Sequence, residues 1–206
     1  MINKKSIVLS CVVLTILLST VGCSGGKEVA VTDNPGGGIS ASKVEGYSNI
    51  KDLKKKAEVI VHYKVISSEH IEYQRVDFTV SKAEVLKVIK GKVAKGDTIN
   101  ILQTGAIING QDISISGDNI YRKGDESVGF LYKYEGPVTE DAYMTLGIND
   151  GRFDVKDSKV IARGFGYSDK SKSDKKVKKS DPIDEMDFED INQLGFTVDE
   201  FEGKIK

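Results

Sequence analysis

Two cysteines and two histidines are the residues of this chain best suited to nucleophilic, acid–base or soft-metal chemistry. Cys11 and Cys23 both lie near the N-terminus, whereas His62 and His70 stand eight positions apart well downstream. A catalytic nucleophile needs a base within hydrogen-bond reach, and a zinc site needs clustered Cys and His ligands. Neither pattern is present, and there is no Gly-x-Ser-x-Gly elbow. The stretches "GDNIYRKGDE" and "NDGRFDVKD" set acids beside glycine without the spaced ladder of a calcium loop. The turn-forming habit of Asp and Asn accounts for them. "GKVAKGD", Gly91 to Asp97, opens like a phosphate loop, but Asp97 occupies the place where the Lys-Ser/Thr pair should begin. The expectation is a protein with no catalytic residues, no metal ligands and no cofactor, and not an enzyme.

Cys23 asks for a different explanation. Lys4 and Lys5 precede an apolar run from Ile7 to Leu18, the layout of an export signal. As a helix that run spans about 18 Å, short of the roughly 30 Å of a bilayer's hydrocarbon core. A cleaved signal therefore fits better than a spanning helix. Cys11 would leave with the signal, so Cys23 would have no partner for an internal disulfide.

The stretch "LLSTVGC", residues 17–23, resembles the bacterial lipobox, in which small residues and a glycine precede an invariant cysteine. Thr20 stands where the commonest lipobox has leucine. The resemblance implies cleavage between Gly22 and Cys23 and attachment of a diacylglyceryl group to the Cys23 thiol. It also implies a protein held on the extracytoplasmic face of the cell membrane, where two acyl chains suffice for stable anchoring.

Charge excludes one class of partner. The chain has 30 basic and 31 acidic side chains, and acids are interspersed throughout. Removal of residues 1–22 takes away Lys4 and Lys5 and no acid, leaving the remainder mildly acidic. Without a basic stripe there is no electrostatic case for nucleic acid.

Organisation along the chain follows composition. Residues 1–22 read as signal peptide, and residues 23–45 as the lipidated cysteine with a flexible linker rich in Gly and Ser. Residues 46–165 read as a β domain. Residues 166–182 form a Lys/Ser-rich loop, and residues 183–206 an acidic, partly helical tail.

Within the β domain, Ser48 is placed to cap a short helix bearing Ile50, Leu53 and Ala57 on one side. Val59 to Ile66 has strand composition, and Tyr73 to Val80 alternates apolar and polar residues with period two. Residues 81–90 carry both a capping-box pattern (Ser81, Glu84) and strand-favouring Val85, Val88 and Ile89; strand is preferred. Thr98–Gln103, Ile107–Ile115 around Asn109-Gly110, Ser127–Tyr134, Ala142–Ile148, Gly151–Val155 and Lys159–Ala162 complete a series of short, turn-punctuated strands. In the tail, Ile183, Met186, Phe188 and Ile191 could cover the domain, and Thr197 could cap a last helix. The expected fold is mainly β: a small antiparallel, OB-like β-barrel with a short N-terminal helix and a partly helical C-terminal tail.

The order "IKDLKKKAEVIVHYKV", "VLKVIKGK", "GDTINIL", "YRKGDESVGFLYKY", "GINDGRFDVKDSKV" resembles uncharacterised Gram-positive lipoproteins whose domain is an OB-like or TIMP-like β-barrel. The resemblance covers about residues 46–165 and implies fold, not chemistry. In TIMP-type inhibitors a free N-terminal cysteine engages a metal; here the matching terminus is expected to be lipidated. Small barrels bind oligosaccharides and peptides on their faces, and the eight tyrosines could contribute to a ligand face or to the core. The functional expectation is a non-enzymatic binding module at the cell envelope, with a membrane bound through covalent lipid and an envelope protein or peptide as partner. A secreted or surface hydrolase with an unrecognised site is the alternative.

Overall fold

The computed structural model describes residues 46–115, 118–164 and 177–206. A seven-residue helix, α1 (Ile50–Lys56), opens the described part. Its N-cap is Asn49, whose side chain accepts the Asp52 amide at 2.9 Å, rather than the expected Ser48. Ile50 and Leu53 are buried beneath it.

Two 15-residue strands follow, β1 (Val59–Tyr73) and β2 (Val76–Lys90), where three shorter ones were expected. The turn between them falls at Gln74 and Arg75, inside the segment read as a single strand from Tyr73 to Val80. Both residues take positive φ, 50° and 65°, the backbone of a tight hairpin turn. That conformation ordinarily recruits Asn or Gly, and their absence concealed the turn. Residues 81–90 lie in β2, paired to β1, so the preference for strand holds and no capping box forms there.

The remaining strands are β3 (Thr98–Ile108), β4 (Gln111–Ser114), β5 (Glu126–Lys133), β6 (Ala142–Thr145), β7 (Arg152–Lys156) and β8 (Lys159–Ala162). The β3–β4 hairpin turns at Asn109-Gly110 with φ of 51° and 80°, as their identities predict. The sheet runs β1-β2-β3-β6-β5-β7-β8, and β1 also pairs with β5. The five strands β1, β2, β3, β6 and β5 thereby close into a ring, the mainly antiparallel OB-like barrel expected. One ladder in it is parallel and short, Asn100 opposite Ala142 and Ile101 opposite Tyr143.

Alternation along the strands makes two cores. Val59, Val61, Tyr63, Val65, Ala83, Val85, Ile99, Ile101 and Leu131 fill the ring with Tyr121. The outward residues Ile60, Val128, Phe130 and Phe153 instead meet α1 and the C-terminal segment. That segment comprises a 3-10 turn (Ile183–Glu185), α2 (Phe188–Leu194) and α3 (Val198–Ile205). Phe153 sits at the centre of this second core, with ring centroids 5.4 Å from Phe130, 5.9 Å from Phe188 and 4.8 Å from Phe201. Thr197 caps α3 as expected, in a reciprocal capping box with Glu200. The same segment blunts the sheet edge. Phe196 O accepts the Val160 amide, and the Asn192 side chain bonds both the amide and the carbonyl of Ala162.

Candidate functional site

Gly22 and Cys23, the expected cleavage and lipid-attachment residues, lie outside the described residues, as does the linker that follows them. The two histidines are described, and the fold keeps them apart. His70 sits on the outer part of β1 with its Nε2 2.7 Å from Asp77 Oδ1 of β2. His62 sits on the outer wall of the ring, largely buried, with Nε2 2.8 Å from Glu126 Oε1. Its Nδ1 lies 2.7 Å from Glu202 Oε1, off the line of a hydrogen bond. Glu202 belongs to α3, and its other carboxylate oxygen accepts Lys87 Nζ from β2. The two ring nitrogens face opposite ways, so Glu126 and Glu202 cannot converge with His62 on one point. Among the described residues no group of three or more His, Cys, Asp or Glu side chains is arranged to hold a metal ion. Glu202 ties the C-terminal helix to the barrel wall through Lys87, with the His62 ring beside it.

A second polar constellation lies inside the ring, at its seam. β3 and β6 pair over only two positions, and β7 runs on beside β5 without a ladder to β3. Side chains span that gap. Arg152 of β7 donates through Nε to Asp154 Oδ1 at 2.7 Å, and through Nη1 to Asp118 Oδ1 at 3.1 Å and the Asn119 carbonyl at 2.5 Å. Gln103 of β3 donates to Asp118 Oδ2 at 3.1 Å and accepts the Tyr121 amide at 2.9 Å. The guanidinium lies 3.8 Å over the Tyr121 ring, whose hydroxyl meets that of Tyr63 at 2.5 Å. Ser127 completes the shell around Asp154.

Electrostatics at the seam follow from burial. Loss of water pushes the Asp118 carboxyl above its ordinary value, against the pull of Arg152 and Gln103. Tyr121 is pushed up to about 12, chiefly by burial, and Tyr63 rises well above the usual phenol value for the same reason. Burial also opposes the charge on Arg152, but Tyr121, Asp154 and Asp118 outweigh it and the pKa rises. At neutral pH the phenol is un-ionised, and the hydrogen-bond partners of the guanidinium are the carboxyl groups of Asp154 and Asp118 and the Asn119 carbonyl. The cavity at the seam has a volume of about 40 Å³ and is lined by Leu102, Gln103, Ile115, Asp118, Met144 and Ile148. A space of that size takes water molecules, not an organic substrate. Asp118 was expected in a turn and Asp154 in the Gly151–Val155 strand, neither with a partner; both are buried partners of Arg152. The one signal available was Arg-Phe-Asp in a strand, which puts two opposite charges on one face.

The outer face of β2, β3 and β6 is the third feature. Val80, Leu102 and Ala142 form a small apolar cluster there, with half-buried Ile71, Phe78, Tyr134, Val138 and Met144 around it. Beyond Val65, β1 separates from β5, and from Ser67 to Tyr73 its outer edge has no strand partner among the described residues. The β1–β2 hairpin thus continues as an arm that exposes Ile66 and Val76, 43% and 38% accessible. An apolar face beside an unpaired edge can take an added strand or a partner's apolar side chains. Polar groups able to activate a bond do not converge there. No protein-family model matches the chain, and no curated protein matches it.

Proposed function

We propose that this chain is a lipid-anchored protein of the extracytoplasmic membrane face whose β-barrel is a non-enzymatic binding module, presenting the β1–β2 arm and adjoining apolar face to an envelope protein or peptide. The anchoring half of the reading rests on "LLSTVGC" and the apolar run before it. The binding half rests on one observation: an unpaired strand edge, with Ile66 and Val76 exposed, stands next to the Ile71–Phe78–Leu102 cluster. The described histidines and the seam carboxylates favour binding over hydrolysis, because each is engaged by a structural partner.

A photo-crosslinking residue at Val76 in intact cells tests the binding half. The expected result is a discrete adduct that the same residue at Lys159, the first residue of β8, does not give. The same adducts from both positions would contradict it. The competing hydrolase reading is tested with the full chain on ester, peptide and glycoside substrates. Turnover that His62→Ala abolishes would overturn the non-enzymatic assignment.

A further inference from the structure

Lysines are unevenly distributed over the barrel. Residues 51–56 of α1 and residues 87–97 at the β2–β3 connection hold four lysines each, against Asp52 and Asp97. The fold brings these two segments together. Lys90 Nζ donates to the carbonyls of Lys54 and Ala57 at 2.9 and 2.5 Å, closing the C-terminal end of α1. Gly91 packs so closely on Val59 and Glu58 that an added Cβ would lie 2.9 Å from Val59 Cγ2. Lys54 and Lys87 are engaged by Asp184 and Glu202. Lys51, Lys55, Lys92 and Lys95 are exposed and form no ion pair among the described residues. The two acids of these segments are partly occupied locally, Asp52 by the Asn49 amide and Asp97 by the Ala94 N–H.

The β1–β2 hairpin makes this polarity directional. At its ring end lie Lys90 and the lysine turn; at its tip, residues 69–77 carry Glu69, Glu72 and Asp77 against Arg75. We infer that the lysine-bearing end of the barrel docks on anionic phospholipid head groups, which turns the acidic arm away from the membrane. This rests on the membrane-tethered reading above. A flexible tether entering at Gly46, four residues before α1, would leave this end of the barrel able to reach the bilayer. Each lysine at an anionic surface strengthens attraction by about fivefold, and the effect decays within a Debye length.

The experiment uses the full-length chain reconstituted into vesicles and reads the amine-labelling rate of individual lysines. On phosphatidylglycerol-containing vesicles, Lys51, Lys55, Lys92 and Lys95 should label at least about threefold more slowly than on neutral phosphatidylcholine vesicles. Lys123, Lys156 and Lys159 should be unaffected. About 1 M salt, where the Debye length falls to about 3 Å, should remove the protection. The double variant Lys92→Glu/Lys95→Glu should also lose it at Lys51 and Lys55. Equal rates on both vesicles, or equal protection of all seven lysines, would overturn the inference. Equal protection on neutral vesicles by added soluble polyphosphate would reassign the surface to a soluble polyanion and overturn the lipid assignment. Anchoring itself is read separately, by detergent-phase partitioning of Cys23→Ser, so the two failures are distinguishable.

Discussion

Arg152 and Asp118 meet at 3.1 Å across the part of the ring where β3 and β7 share no backbone ladder. Arg152 is 3% exposed and Asp118 is 6% exposed. Their pairing, extended through Gln103 to β3, closes with side chains what the strands leave open. Removing one member of a buried pair strands the other's charge, at a cost of about 3–5 kcal/mol. Arg152→Met should destabilise by that amount in urea unfolding. Arg152→Lys should recover little, because an ammonium cannot reach Asp118, Asp154 and the Asn119 carbonyl as a planar fork does. Near-wild-type stability for either variant would contradict this account of the seam.

Asp118 gives the seam a pH signature. Its folded-state pKa is raised above the ordinary value of 3.8, so between the two values the folded protein holds more protons than the unfolded chain. Its contribution to stability therefore falls as pH rises through that window and is constant above it. Relative to Asp118→Asn, the wild type should lose stability between about pH 4 and its raised pKa, then run parallel. Denaturant titrations across pH check this. A difference that grows in favour of the wild type with rising pH would contradict the sign.

Glu202 fastens α3 to the barrel wall through Lys87, beside the His62 ring. Lys87 is 40% exposed, so solvent screening weakens the ion pair, although the Glu202 side chain itself is only 2% exposed. Glu202→Ala should cost about 2 kcal/mol and raise hydrogen exchange in residues 198–205 more than in β2 or β3. Uniform change across the chain would mean that the pair supports global stability and not helix docking.

Gly129 is required by a side chain and not by its backbone. A Cβ there would lie 2.7 Å from Tyr63 Cε1 and 3.0 Å from Leu131 Cδ2, both packed inside the ring. Gly129→Ala should destabilise by about 1–3 kcal/mol through overpacking. Thermal unfolding would contradict the packing argument if the variant matched the wild type.

Ile148 carries the opposite expectation. It is β-branched with φ of 66°, a region such residues avoid at about 1–2 kcal/mol. Ile148→Gly should relieve that strain and offset the lost packing at the cavity, leaving the melting temperature unchanged or higher. A loss above about 2 kcal/mol would show that packing outweighs strain.

The strands and hairpins with local signals were legible in the sequence. Asn109-Gly110 announced the β3–β4 turn, alternation announced the first residues of β2, and Thr197 announced α3. The Gln74–Arg75 turn was not, because neither residue is of the Asn or Gly type that ordinarily signals positive φ. The seam was hidden for a different reason. Arg152 finds Asp118 34 residues away, and only ring closure makes them neighbours. His62 and Glu202 are farther apart still, and nothing in either local pattern announces the other. Local propensity writes elements; the pairing of buried charges is written by topology.

The proposed anchoring makes Cys23 the residue at which the chain is cut and lipidated, which would hold the barrel on the extracytoplasmic face of the membrane. The most direct measurement is intact-mass and N-terminal peptide analysis of the full chain recovered from a Gram-positive membrane. The account predicts an N-terminus at Cys23 carrying a diacylglyceryl thioether, and Cys23→Ser that is neither cleaved after Gly22 nor acylated. An unmodified Cys23 thiol, or a membrane-retained Cys23→Ser processed like the wild type, would contradict it.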